Sequence, residues 1–352
     1  MDHVCRAERG ERGAGDVGVV VDWQAPGGRR GGRQGARLPV ELLLHIVECL
    51  VPPRHAQALL PASHACTMTL LALTRVSRAL YPKASSMLRQ HCAVLDSRQR
   101  LARYRECMAR MVPSLPAPSP SLRHITWLHL APFGASLDDE QTATWVRELL
   151  CELSDTLRRL VVQMPFGSLD PLNDHLSVRR TLRAGFEQLS RLDEFVCLDE
   201  YPALSVPDGH TDVWRLWPEL RRVALFDVPV DSHWLWWDIA TLPHLEHVLL
   251  ARPQHLGVTN IKDEYFHKLP RGDRRLGRHI RITLVDVAYQ LDRVDTARWS
   301  EIDSSGLMTV EAVEVPLPFY GDETPQKLVT DWVRRRALDG TLWTWSGQRV
   351  DE

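Results

Sequence analysis

The residues able to do chemistry are few and widely scattered. His244 and His247 stand three apart, a spacing that can chelate a metal, but they span a predicted loop-to-strand junction with no third ligand nearby. Partly exposed repeat histidines are therefore expected. The carboxylate groups Asp138-Asp139-Glu140, Asp193-Glu194 and Asp199-Glu200 could in principle share acid–base work. Each falls at a predicted helix start or loop, where solvated charge is ordinary. Arg334-Arg335-Arg336 suits the negative end of a helix, with a localisation signal as the alternative. The chain contains no G-x-S-x-G, G-x-x-x-x-G-K-S/T, H-E-x-x-H or kinase signature. No catalytic residue, metal site or cofactor is expected, and the chain reads as a non-enzyme.

Seven cysteines, an odd number without a CxxC pair, argue for reduced thiols in a cytoplasmic or nuclear protein. The opening MDHVCRAERGERG lacks an apolar core, so no secretory signal is expected. The longest near-apolar run, Leu42 to Val51, is too short for a membrane. Net charge is −2, which gives no chain-wide field to draw nucleic acid. At 352 residues, 44% hydrophobic and 25% charged, the composition fits folded units plus tails. Twelve Trp against seven Phe is an unusual balance that hints at contact surfaces.

The elements divide into four stretches. Residues 1–37, with GGRRGGRQG, offer little to bury and are expected to be a disordered tail. Residues 38–92 read as helices. Residues 93–120 hold a basic helix (RQRLARYRECMAR) and a linker with four prolines between 113 and 120. Residues 121–345 show recurring short apolar runs. The spacing L-x-x-L-x-L recurs at Ile125-Leu128-Leu130, Leu157-Leu160-Val162, Leu192-Phe195-Cys197, Leu220-Val223-Leu225 and Leu245-Val248-Leu250. A weaker sixth instance follows at Ile280-Ile282.

Each such unit buries only a few aliphatic side chains, at roughly 1.5–3 kcal/mol apiece. That cannot offset the entropy of ordering some thirty residues, so the units must stack. A strand-plus-helix solenoid with a parallel sheet fits, and a mixed α/β domain is the alternative. Between the strands, 138–155 has a helical stripe of Trp145, Leu149, Leu150 and Leu153. Residues 323–336 read as a closing helix whose polar face would cap the array.

The run Leu38-Pro39-Val40-Glu41-Leu42-Leu43-Leu44-His45-Ile46-Val47-Glu48-Cys49-Leu50 is the informative one. On a helical wheel its apolar residues cover an arc of about 200°, twice the ~100° that a one-sided helix needs. About 55 residues without a staple cannot easily cover the excess, so an interface is expected there.

LPVELLLHIVECL followed by LLALTRVSRALYPKASSMLRQH resembles an F-box, a three-helix motif that opens with Leu-Pro-x-Glu-Leu. The opening matches at Leu38, Pro39, Glu41, Leu42, Leu43, Ile46 and Leu50, and the closing at Leu73, Val76, Ser77, Arg78, Leu80, Tyr81 and Ala84. Leu80 stands where Trp is common, and the connection 51–68 is longer than usual. LRRLVV, WPELRRVALFDV and LPHLEHVLLARP are similar to phrases of F-box proteins from filamentous fungi. The resemblance implies an N-terminal three-helix F-box, followed by an irregular leucine-rich-repeat-like strand/helix solenoid. It implies docking on a Skp-type subunit, and through it on cullin, by Leu38, Pro39, Glu41, Leu42, Leu43, Ile46, Leu50, Leu73, Val76, Ser77 and Leu80. The chain would recruit an unknown protein target for ubiquitination. A repeat scaffold without ligase association is the alternative.

A target anchor is sought in DSHWLWWDIATL (231–242), read as a helix capped by Asp231 or Ser232. Leu235, Ile239 and Leu242 share the core face, while Trp234 and Trp237 fall opposite, as a partner anchor or as filling against a neighbouring repeat.

Overall fold

The structure, a computed structural model, describes residues 38–51, 58–109, 124–169, 174–205, 212–270, 272–317 and 322–350. The expected tail (1–37) and the proline run (113–120) lie outside the described residues. Among the described residues the fold is mixed α/β, helices packed around an open nine-stranded sheet.

Three helices come first: α1 (Val40–Cys49), α2 (Ala65–Leu73) and α3 (Tyr81–His91). Pro39, extended at the N-cap of α1, accepts from the Leu42 and Leu43 N–H groups. His64 caps α2 by accepting from the Cys66 N–H at 3.2 Å. Val47, Val51, Leu70, Leu80, Ala84 and Met87 form their small core.

The chain then enters the sheet earlier than residue 121. β1 (Val94–Leu95) pairs with β2 (Trp127–Leu130), and between them α4 (Arg98–Met108) packs on α5 (Glu140–Leu153). β3 (Arg159–Gln163), α6 (Val178–Phe186), β4 (Glu194–Leu198), β5 (Arg222–Phe226), α7 (His233–Thr241) and β6 (His247–Ala251) follow. Then come α8 (Ile261–Phe266), β7 (Ile280–Asp286), the short α9 (Ala288–Leu291) and α10 (Trp299–Ile302), β8 (Met308–Glu314), α11 (Pro325–Asp339) and β9 (Gln348–Arg349). Strand order is sequential from β1 to β9, and every pairing is parallel except β8 with β9.

The apolar repeats fall into one ladder. Leu128, Leu160, Phe195, Val223, Val248, Ile282 and Val310 are successive register partners. They point to one face, where Val146, Leu150, Leu182, Trp236 and Ile239 of the helices cover them. Gly185 lets α6 approach α5 closely, since a Cβ there would lie 2.8 Å from Arg147 Cα.

α11 departs from expectation. It does not cap an end of the array; it lies across the other face of the sheet. Val329, Val333 and Ala337 pack there on Val161, Val196, Ala224 and Leu249. The reason is visible in the strands. Alternate residues on that face are apolar too, so a second layer is needed. A helix of 15 residues spans about 22 Å, enough to cross four or five strands spaced about 4.8 Å apart. β9 borders β8 instead, and Gly347 beside it has no room for a Cβ against the Ala312 carbonyl. Among the described residues no helix is long and apolar enough to cross a membrane.

Candidate interaction surfaces

The predicted docking residues separate into three groups. Leu42 and Ile46 sit four apart on one face of α1 and stay uncovered, at 50% and 51% exposure, and Leu38, just before the helix, is exposed too. Pro39, Glu41 and Val76 are exposed as well. Leu43, Leu50 and Leu73 are half-buried against the small core, and the half-buried Ser77 accepts from the Leu80 N–H at 3.2 Å. Leu80 itself is 3% exposed. It fills the core between α2 and α3 rather than facing outward. Tyr81, which the resemblance matched, is exposed as well, and sequence reasoning missed Met68 and Leu71, which are also exposed. Among the described residues, seven of the twelve exposed large apolar side chains lie between residues 38 and 81. That concentration makes this surface the strongest interface candidate.

The long connection 51–68 has a structural use. Ala58, Leu59 and Leu60 are buried, Leu60 N–H donates to the His91 carbonyl, and Leu59 packs with Val94 and Trp127. Residues 52–57 lie outside the described residues.

On α7, Leu235, Ile239 and Leu242 are buried as expected, and Ser232 is the N-cap without a side-chain bond. Trp234 is 66% exposed, with the His233 ring edge-on at 5.5 Å. Trp237 is half-buried against the main core and stacked on His233. The two rings therefore do not form one exposed anchor. Trp236 is fully buried and donates from Nε1 to the Val230 carbonyl at 2.6 Å.

His244 is exposed in a turn, whereas His247 stacks on Trp343 with ring centroids 6.0 Å apart. Burial, then Arg281 and Arg222, pushes the His247 imidazole down to about 4. Among the described residues no group of three His, Cys, Asp or Glu is placed to hold a metal.

The sheet face under α11 carries charge at both of its ends. At the N-terminal end, Trp127, Arg159, Glu194, Arg222, His247 and Arg281 are register partners. Glu194, 4% exposed, lies 3.5 Å from both Arg159 and Arg222. This alternation of sign across neighbours supports the register.

The C-terminal end is different. Asp199 directly follows β4, Asp227 follows β5, Arg252 follows β6, and Asp286 ends β7 opposite Glu314 of β8. Asp199, Asp227 and Arg252 all take the left-handed conformation, with φ of 71°, 52° and 51°. Arg252 pairs with Asp227 at 3.2 Å, but no described cation pairs with Asp199, Glu200, Asp286 or Glu314. Burial first, and then Asp286, Glu200 and Asp199, raises the Asp227 carboxyl above its usual range. Near this rim a cavity of about 600 Å³ lies between the ends of β1–β4 and α11, and His129 lines it. Among the described residues neither ring nitrogen of His129 has a hydrogen-bond partner, although the residue is only 5% exposed. Each such unmet group costs about 1–3 kcal/mol. The pair Asp199-Glu200 was visible in the sequence, but its alignment with the ends of other strands was not.

No protein-family model matches the chain, and no curated protein matches it. The fold defines a mixed α/β protein with a sequential, largely parallel sheet.

Proposed function

We propose that this chain is a substrate-recruiting F-box adaptor of a Skp–cullin–F-box ubiquitin ligase. Its three N-terminal helices would dock on the Skp-type subunit, and the sequential sheet would serve as a leucine-rich-repeat-like solenoid that presents a protein target. The observation carrying this reading is the exposed apolar set of Leu38 before α1, Leu42 and Ile46 on α1, and Met68 and Leu71 on α2. Apolar surface left in water forfeits about 25 cal/mol per Å², a cost a partner would remove. The adaptor would be non-catalytic, need no cofactor, and act in the cytoplasm or nucleus. Its target's identity is separate from this docking step.

Co-purification with a Skp-type subunit tests the reading. The native chain should bind, and Leu42→Asp with Ile46→Asp should not, because each places a charge in a desolvated contact. Both side chains are half exposed in the free chain, so the double variant should keep its thermal midpoint. Failure of the native chain to bind, or retained binding by the variant, would sink the assignment. One observation favours a scaffold reading without ligase association: Leu59 and Leu60 tie the helices to the sheet, as an N-terminal cap would need. A native chain that never co-purifies with the Skp-type subunit supports that reading.

A further inference from the structure

We propose that a second cavity, at the carboxyl ends of β5–β7 beside the first turn of α11, binds a zwitterionic amino acid. Its ammonium would sit on Asp286, and its carboxylate on Arg293 and the start of α11. The cavity holds about 570 Å³. Open parallel sheets commonly take their ligands outside the carboxyl ends of the strands. Register sets the geometry. Phe226 pairs with Ala251 and Ala251 with Val285, so the residues that follow, Asp227, Arg252 and Asp286, stand level on adjacent strands. All three line the cavity. Arg252 is engaged by Asp227 at 3.2 Å, and His255, also on the lining, by Asp231 at 2.9 Å. Among the described residues this leaves two unpaired charges on the lining, one of each sign: Asp286 and Arg293.

Asp286 is the residue that points to a ligand. It is 5% exposed, yet only Oδ1 is engaged, accepting from the Val287 N–H at 2.8 Å. Oδ2 meets no partner among the described residues and stays open to the cavity. Burial raises this carboxyl above its usual range, against the Val287 N–H and Arg252, so its charge lacks a sufficient counter-ion. A ligand ammonium supplies one. Arg293 is exposed and lines the cavity beside Gly257, its Cβ 3.6 Å from the place a Cβ on Gly257 would take. The first turn of α11 adds the Gln326 N–H, which has no intrahelical partner, and the positive end of the helix. A lone cation would leave Arg293 and that turn unmatched, and a lone anion would face Asp286. An amino acid answers both charges and leaves room in the cavity for its side chain.

Thermal-shift titration of the full chain with each standard L-amino acid, followed by calorimetry on those that raise the midpoint, tests the site. At least one amino acid should bind saturably. Its decarboxylated amine and its deaminated acid should each bind at least tenfold more weakly. Asp286→Asn should weaken binding of the amino acid at least tenfold. Should that variant fail to fold, Arg293→Gln, a change at an exposed side chain, carries the test with an expected severalfold loss. Failure of every amino acid to bind the folded native chain overturns the proposal. So does an amine or acid that binds as tightly as its parent amino acid, or unchanged affinity in a folded variant. No measurement here needs a Skp-type subunit, so the result is independent of the adaptor reading.

Discussion

The backbone N–H of Leu59 donates to the carbonyl oxygen of Leu338 at 2.6 Å, joining the segment after α1 to the last turn of α11. Residues 279 positions apart thereby close the structure at one corner, with Leu59 buried against Val94 and Trp127. The N-terminal helices are therefore not beads on a linker.

Leu59→Ala should lower unfolding free energy by about 2–5 kcal/mol, the cost of an unfilled core position. Chemical denaturation measures it. A midpoint equal to that of the native chain would mean that this clasp contributes nothing.

α11 should be a required layer of the fold. Val333 is fully buried on the second sheet face, so Val333→Asp should destabilise by more than about 3 kcal/mol, through lost packing and a buried charge. Arg335 on the exposed side of the same helix gives the contrast, with Arg335→Ala expected within about 0.5 kcal/mol of native. Thermal melts of the two variants decide the matter.

The three tryptophans of α7 should rank by burial. Trp236→Ala should cost about 3–5 kcal/mol, since it removes a fully buried ring and leaves the Val230 carbonyl without its donor. Trp234→Ala should cost less than about 0.5 kcal/mol. Trp237→Ala should fall between them. A costly Trp234 change, read by urea denaturation, would contradict its exposed placement.

Two buried groups should tilt stability with pH in opposite senses. Burial raises the Asp238 carboxyl to about 7, with Arg215 opposing and Asp212 adding to the shift. Its folded value exceeds the ordinary 3.8, so its contribution is full below about pH 4 and is lost as pH rises through 7. His129 falls from the ordinary 6.5 to about 4, so its contribution is present above pH 6.5 and is lost as pH falls toward 4. Relative to the native chain, Asp238→Asn should gain thermal midpoint between pH 5 and 8. His129→Phe should gain it between pH 6.5 and 4. Parallel pH profiles for native chain and variants would refute both assignments.

The six apolar strand cores from Leu128 to Ile282 could be read directly from the sequence. Alternating burial of aliphatic residues and a spacing of about thirty residues are properties of the local backbone. The uncovered arc of α1 was equally readable, as a matter of helical period and domain size. β8 was not, because Met308, Val310 and Ala312 form a weaker aliphatic signal, and β1 has only two residues. The amphipathic pattern of α11 told of an apolar face without telling what that face would meet. Its seat on Val196 and Ala224 is decided by which sheet surface remains uncovered once the other helices have packed. Leu80 turned inward for the same kind of reason, filling a small core with Val47, Leu70 and Met87 while Leu42, Ile46 and Tyr81 stay outside it. The carboxylates Asp199, Asp227, Asp286 and Glu314 stand some 25 to 60 positions apart along the chain. Only the parallel register brings them to one rim. Local periodicity settles which residues form strands and helices; which faces and ends come together depends on the packing of the whole chain.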